Sequence, residues 1–343
     1  MKNFQGAQRA GTGACPDKSP RRANKEDIVR TTASALSTGF VVLIGVFAAG
    51  TASAQVGVFS KENLIEYTAE WKGERFSDGR PKVPDSILER LKHISVTHAW
   101  SILKGEGYNW QYEGDFKSIN PGQVIVGRAV TAVYMPRRPD VRTIMDEKGK
   151  REGRGGDQIH WPIDVLVEGD VYVADVFGKI EDGPIIGDNL ATSIYARSKN
   201  GVVFDGSLRD LEGIREIKGF GGFVRGWHPS FSSPDIMLMG LNAPVRIGHA
   251  TVMPGDVVLG KDEGVVFIPA HLAEKVVKTA EIVYLRDQFG HERLAEKKYT
   301  PGQIDSRWTD DIERDFSRWL NDHIDKLPIP KKDIQEYLKN RTW

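Results

Sequence analysis

The tightest constraint on this chain lies between Trp161 and Pro269. There, short apolar runs alternate with turns of glycine and aspartate: GDVYVADVFG (Gly169–Gly178), GVVFDG (Gly201–Gly206), FVRG (Phe223–Gly226), APVRIG (Ala243–Gly248), GDVVLG (Gly255–Gly260) and GVVFIP (Gly264–Pro269). Runs of this length and β-branched content, closed by turn residues, read as strands. They follow one another too closely for a regular strand–helix–strand series, so the expected fold class is mixed α/β. One further strand, QVIVGRAVTAVYM (Gln123–Met135), stands upstream.

The helical segments surround these strands. Asp85 is placed as the N-cap of SILERLKHI, and VTHAWSILK (Val96–Lys104) follows as a second short helix. A third runs from Leu190 to Lys199 and stops at Asn200-Gly201, a left-handed helix end. A longer one covers His271–Phe289 after Pro269. Near the C-terminus, DIERDFSRWLNDHI sets Ile312, Phe316, Trp319 and Leu320 on one face, suited to packing on the same domain or on a neighbouring subunit. Two stretches read as irregular. Residues 55–83 are polar and turn-rich and are expected to form an extended surface arm. Arg137–Trp161, charged and glycine-bearing, is expected to be a long inserted loop.

The first 54 residues have the layout of a secretory signal peptide. Seven basic side chains (Lys2, Arg9, Lys18, Arg21, Arg22, Lys25, Arg30) precede the uncharged run Gly39–Gly50, and ASAQ (Ala52–Gln55) supplies small residues for a cut after Ala54. An uncleaved anchor is the alternative, although spanning a bilayer takes about 20 apolar residues. The pair Arg21-Arg22 hints at twin-arginine export, without the apolar residues that should follow it closely. A periplasmic or secreted location is therefore expected, with no membrane contact after cleavage. The only cysteine, Cys15, would leave with the leader. The mature chain would be nearly charge-balanced, with no electrostatic footprint for nucleic acid.

The chemistry gathers in Gly187–Asp210, GDNLATSIYARSKNGVVFDGSLRD. A helix start presents free main-chain N–H groups and a favourable dipole to an anion. Gly187 permits close approach, and Asp188 or Asn189 can cap the helix. After one short strand come Arg209, a forked donor suited to a carboxylate, and Asp210, a hard oxygen ligand suited to Mg²⁺ or Mn²⁺. Two histidine–aromatic pairs, His160-Trp161 and Trp227-His228, are either substrate groups or hydrogen-bonded structural residues. Arg137, Arg138, Arg142, Arg151 and Arg154 either recognise a second carboxylate or belong to a solvated loop.

The spacing G-D-N-L, then D-G-x-x-R-D, resembles the RraA-like family of class II 4-hydroxy-4-methyl-2-oxoglutarate aldolases, which also holds the regulator of ribonuclease activity A. VGRAVTA (Val126–Ala132), GDVYVAD (Gly169–Asp175) and PGDVVLGKDEGVVFIP (Pro254–Pro269) extend the likeness over roughly Pro84–Leu285. The resemblance implies a swivelling β/β/α domain over 84–289 with an insertion at 136–161, a C-terminal helical extension over 290–343, and assembly as a homotrimer or homohexamer. It also implies roles. The main chain of Gly187, Asp188, Asn189 and Leu190 would hold a pyruvyl carboxylate, and Arg209 the keto oxygen. Asp210 would ligate a divalent Mg or Mn ion, with Asp188 reaching it through water. The implied activity is retro-aldol cleavage or decarboxylation of a small keto acid such as 4-hydroxy-4-methyl-2-oxoglutarate or oxaloacetate. The family's other branch implies a non-catalytic binding or regulatory protein instead. At Thr97–Trp100 this chain has THAW where relatives often carry an acidic residue, so the carboxylate contributed by a neighbouring subunit has no assigned position here.

Overall fold

In the computed structural model, residues 60–340 are described, except 233; the leader and the first residues of the arm lie outside the described residues. The elements begin with α1 (Lys61–Tyr67), α2 (Asp85–Leu91) and α3 (Val96–Gly105), followed by the short strands β1 (Tyr112–Glu113) and β2 (Lys117–Ser118) and the long strand β3 (Ile125–Pro136). Next come α4 (Pro139–Arg151), α5 (Trp161–Asp164), β4 (Asp170–Asp175), α6 (Asp188–Ser198), β5 (Val202–Leu208), α7 (Leu211–Arg215) and β6 (Gly222–Trp227). The strands β7 (Ile236–Leu241), β8 (Val245–Ile247), β9 (Ala250–Val252), β10 (Val257–Lys261) and β11 (Gly264–Ile268) then lead into α8 (Ala273–Ala295), α9 (Pro301–Ile304), α10 (Asp310–His323) and α11 (Lys331–Lys339).

The main sheet runs β1-β11-β10-β3-β4-β5-β6-β2, with β7 paired to the far half of β3. Strands β3 to β6 are mutually parallel, whereas β10, β11, β7 and β2 run antiparallel to their neighbours. Strict alternation along the central strands divides the core. Val130, Ala132, Tyr172, Ala174 and Phe204 point to the layer of α4–α7, while Ala129, Val171, Val173 and Val203 point to the β8–β9 hairpin. Both faces are covered, which is why these strands are written as continuous apolar runs. A second helical layer, α2, α3 and α8, packs on Val126, Val257, Leu259, Val266 and Ile268.

The mixed α/β expectation holds, and each expected strand is present, with β1, β2, β7 and β9 in addition. Several local expectations are corrected. The arm is not simply extended: it contains α1, and Arg80 plunges into the interior, where it pairs with Asp170 at 3.0 Å. Asp85 does not cap α2. Pro84 occupies that position, and the Asp85 carboxylate accepts from Arg128 Nη1 at 2.7 Å. The left-handed residue ending α6 is Lys199 (φ 54°), one position before Asn200.

The largest correction is the insertion, which is not a long loop. Pro139 opens α4, Asp140 sits in its first turn, and Lys148, Lys150 and Arg151 in its last, a charge order that complements the helix dipole. Its buried face consists of Arg142, Met145 and Gly149, and a Cβ on Gly149 would collide with the Trp161 indole. A stripe of arginine, methionine and glycine carries no hydrophobic signature, so the helix was hidden in the sequence. Arg142 is correspondingly no solvated group: it pairs with Asp146 (3.1 Å) and Asp157 (2.9 Å) and donates to Ile236 O (3.1 Å). The C-terminal stripe packs within the same chain, with Ile312, Phe316, Trp319 and Leu320 buried together with Leu285, Phe289 and Trp308.

Candidate active site

The parallel strands β4, β5 and β6 end on one edge of the sheet, the edge where α/β folds place ligands. After β4 the chain loops out and returns alongside the end of β5. Ile185 N–H donates to Ser207 O (3.4 Å), and Arg209 N–H donates to Ile186 O (3.1 Å). These two bonds pin Gly187, the first residue of the expected anion loop, beside Arg209 and Asp210, although more than twenty residues separate them in sequence.

The contact there is close. A Cβ on Gly187 would fall on the Asp210 carboxylate and lie 3.3 Å from Arg209 Nε. Gly187 has φ −121°, so glycine is needed for the space it leaves rather than for backbone freedom. Asp210 adopts φ 57° and ψ 40°, a left-handed conformation that costs a non-glycine residue roughly 1 kcal/mol. It stands at the N-cap of α7, yet its carboxylate makes no cap bond there and instead lies 3.6 Å from Arg209 Nε.

Gly187 is also the N-cap of α6, so neither Asp188 nor Asn189 caps that helix. Both fall inside the first turn, where main-chain N–H groups have no intrahelical acceptor. Asp188 Oδ1 accepts from the Asn189 N–H at 2.7 Å, and its Oδ2 rests over Gly213, 2.9 Å from where a Cβ would stand. The Asp188 carboxylate therefore already occupies one of the expected anion donors, and the amides of Asp188 and Leu190 belong to the same first turn, without an intrahelical acceptor.

A cavity of about 220 Å³ opens in front of these groups. Gly187, Asp188, Asn189, Leu190 and Arg209 line it. Asp210 is not among the lining residues; its carboxylate lies against Gly187, which is. The rest of the lining was not foreseen as such: Ile159, His160, Pro184, Ile185, Ile186 and Phe231. His160 arrives through the turn after α4, its Nδ1 accepting from Asp157 N–H at 2.9 Å, so that the ring proton of the neutral form sits on Nε2. His228 does not line the cavity, and its Nδ1 is 2.7 Å from the Ser230 hydroxyl. Of the two histidine–aromatic pairs, only the first reaches the site. Phe231, 53% exposed, had no signal in the sequence beyond its place between prolines.

The remaining carboxylates on these strand ends are already engaged. Asp205 is gripped by Arg225 at 2.7 Å, and burial, with Asp205 facing it, raises the Asp175 carboxyl. Among the described residues, no group of three or more His, Cys, Asp or Glu side chains gathers into a metal cage. One directly bound carboxylate, a second nearby and several waters is nevertheless the donor set that suits Mg²⁺. Asp210, its carboxylate seated in the room that Gly187 leaves, has the chemistry of such a direct ligand.

A family model described as RraA-like, Aldolase/RraA, matches residues 96–267. Protein DlpA of Legionella pneumophila is 28% identical over 66% of this chain and 32% of its own length. A protein of Halalkalibacterium halodurans with the provisional name of 4-hydroxy-4-methyl-2-oxoglutarate aldolase is 30% identical over 33% of this chain and 52% of its own. The chain thus spans only about a third to a half of these two relatives. Among solved structures, Streptomyces coelicolor RraAS2, described as an unusual member of the RNase ES inhibitor RraA family, superposes with TM-score 0.54 at 25% identity, covering 62% of this chain and all of that one. A protein from Pseudomonas syringae gives TM-score 0.54 at 23% identity over 68% of this chain and 97% of its own.

Proposed function

Because the chain belongs to the RraA-like family, we propose that it is a divalent-metal-dependent lyase acting on a pyruvyl-containing keto acid such as 4-hydroxy-4-methyl-2-oxoglutarate or oxaloacetate. The observation that carries this is the cavity joining the start of α6 to Arg209, with the Asp210 carboxylate packed against Gly187. The space is sized for one small organic acid. Its lining holds main-chain donors and a guanidinium together with the apolar side chains Ile159, Ile186 and Phe231.

In a retro-aldol cleavage of 4-hydroxy-4-methyl-2-oxoglutarate, the 4-hydroxyl proton leaves, the C3–C4 bond breaks, its electron pair delocalises onto the 2-keto oxygen, and C3 takes a proton back. The amides of Asp188 and Leu190 hold the C1 carboxylate. The Arg209 guanidinium donates to the 2-keto oxygen and neutralises charge as it develops there. His160 faces the other end of the substrate, where Nε2 can donate to the C4 substituents or exchange a proton with them. Asp210 would hold the cation directly and Asp188 through water, and the cation when bound supplies Lewis-acid polarisation of the keto oxygen. On the leader's pattern we place the protein in the periplasm or outside the cell, and by its family we expect a homotrimer or homohexamer.

Purified protein with Mg²⁺ or Mn²⁺ is expected to release pyruvate from these acids, with chelator abolishing the activity and Asp210→Ala reducing it by about 10²-fold or more. Wild-type turnover in Asp210→Ala would refute the scheme. The likeness to the RNase-inhibitor branch favours a second function, a non-catalytic binding protein. Titration with Mn²⁺ separates the two, since a pure interaction module has no need of stoichiometric metal.

A further inference from the structure

A second cavity, of about 230 Å³, lies between the turn after α1 and the loops flanking β9, β10 and β11. Part of its wall, Tyr67 to Trp71, precedes the residues matched by the family model. The cavity is bounded by aromatic side chains (Tyr67, Trp71, Tyr108) and by Asp256, which is only 5% exposed. The Asp256 carboxylate accepts from the N–H of Met253 (2.8 Å) and from that of Ala270. Among the described residues no lysine, arginine or histidine pairs with it.

The other Gly-Asp turn of the sheet shows what is missing. Asp170 accepts from Val167 N–H three residues back (3.0 Å), as Asp256 does from Met253. At Asp170, however, Arg80 comes in from the arm and holds both carboxylate oxygens, at 3.0 and 3.2 Å, with its guanidinium 4.7 Å from the Phe76 ring centre. At Asp256 no such side chain arrives among the described residues, and an aromatic-walled cavity borders the residue instead. Burial without a counter-charge pushes the Asp256 carboxyl up to about 7. The other titratable groups lining the cavity are Glu70, Tyr67, Tyr108 and His271. His271 Nε2 is 3.2 Å from the Tyr108 hydroxyl, and burial favours its neutral form, so it does not act as a competing cation.

We propose that this cavity binds a small organic cation, a primary ammonium or guanidinium head, seated against Asp256 with its alkyl part on Trp71 and Tyr108. The head supplies the counter-charge that Arg80 gives Asp170, and the rings add cation–π attraction. A free amine and a lysine or arginine side chain of another polypeptide present the same head.

Calorimetric titration of the full chain at pH 7 tests this with three probes: butylammonium chloride, 1-butanol as its neutral counterpart, and the blocked peptide acetyl-Gly-Lys-Gly-amide. Saturable binding of a cationic probe and none of butanol is expected. Asp256→Asn should weaken the binding about tenfold or more, and Trp71→Ala, on the arm, roughly three- to tenfold. Repeating the titration in buffers of different ionisation enthalpy should show release of about half a proton per cation in the wild type and none in Asp256→Asn. Binding of butylammonium assigns the site to a free amine, and binding of the peptide alone assigns it to a side chain of a partner. Saturation by neither probe, or binding unchanged in both variants, overturns the proposal. Because no probe resembles a keto acid, failure here leaves the lyase assignment standing, and failure of that assignment leaves this site standing.

Discussion

Gly187→Ala isolates the spatial convergence on which the proposed lyase depends. The backbone at Gly187, φ −121° and ψ −166°, is extended and open to alanine. Alanine is a poorer N-cap residue than glycine, a loss of up to about 1 kcal/mol. The smaller conformational freedom of the unfolded chain returns roughly 0.4–1 kcal/mol. The net change in stability is thus near zero, and Tm should move by less than about 2 °C. The added methyl, however, would stand where the Asp210 carboxylate now lies. That side chain is 39% exposed and can rotate outward, so it should yield by roughly 1 Å while the fold stays intact. A displacement of that size at a reacting centre costs about 10²-fold in rate. Thermal melts, pyruvate release and Mn²⁺ titration of the variant together read this out. A variant with wild-type turnover and metal affinity would show that the carboxylate at Gly187 is not part of the chemistry. A drop in Tm of about 10 °C would show instead that the clash passes into the backbone, contrary to the reasoning from exposure.

Asp256→Asn should change the pH dependence of stability. With a folded-state value of about 7 against an ordinary 3.8, Asp256 stabilises the fold fully below about pH 4, and this contribution is lost as pH rises to 7, by up to about 4 kcal/mol. Urea melts should therefore show the variant gaining on the wild type across pH 4–7, whereas a constant difference would contradict the burial argument. Phe316→Ala removes a fully buried ring that sits 5.3 Å from Phe289 and 5.4 Å from Trp308, and should cost about 3–5 kcal/mol in chemical denaturation while leaving pyruvate release at low temperature unchanged. Wild-type stability in that variant would mean that α10 is not docked on α8.

Legibility in the sequence followed the kind of signal each element carried. Seven of the eleven strands were plain because both faces of the sheet are covered, which leaves valine-rich runs with few polar residues, whereas β1, β2, β7 and β9 were not read. The C-terminal helix was plain because Ile312, Phe316, Trp319 and Leu320 repeat at helical spacing. Helix α4 was missed because its buried stripe is Arg142, Met145 and Gly149, a face that exists only once Asp157 and Trp161 are beside it. Arg80 was read as part of a surface arm because nothing local distinguishes an arginine in water from one whose partner, Asp170, is ninety residues away.

The sequence by itself determined the mixed α/β class, seven of the eleven strands and five of the eleven α-helices among the described residues, and the residue types at Gly187–Leu190, Arg209 and Asp210. These are properties of short windows, in which periodicity, turn chemistry and donor type act over a few residues. Tertiary structure alone decided that Gly187 meets Asp210, that His160 rather than His228 faces the cavity, and that one buried aspartate receives an arginine while the other adjoins an open space. Each of those depends on main-chain pairing between distant segments, such as the bond from Arg209 to Ile186, and no pattern along the chain encodes which distant groups such pairing brings within reach.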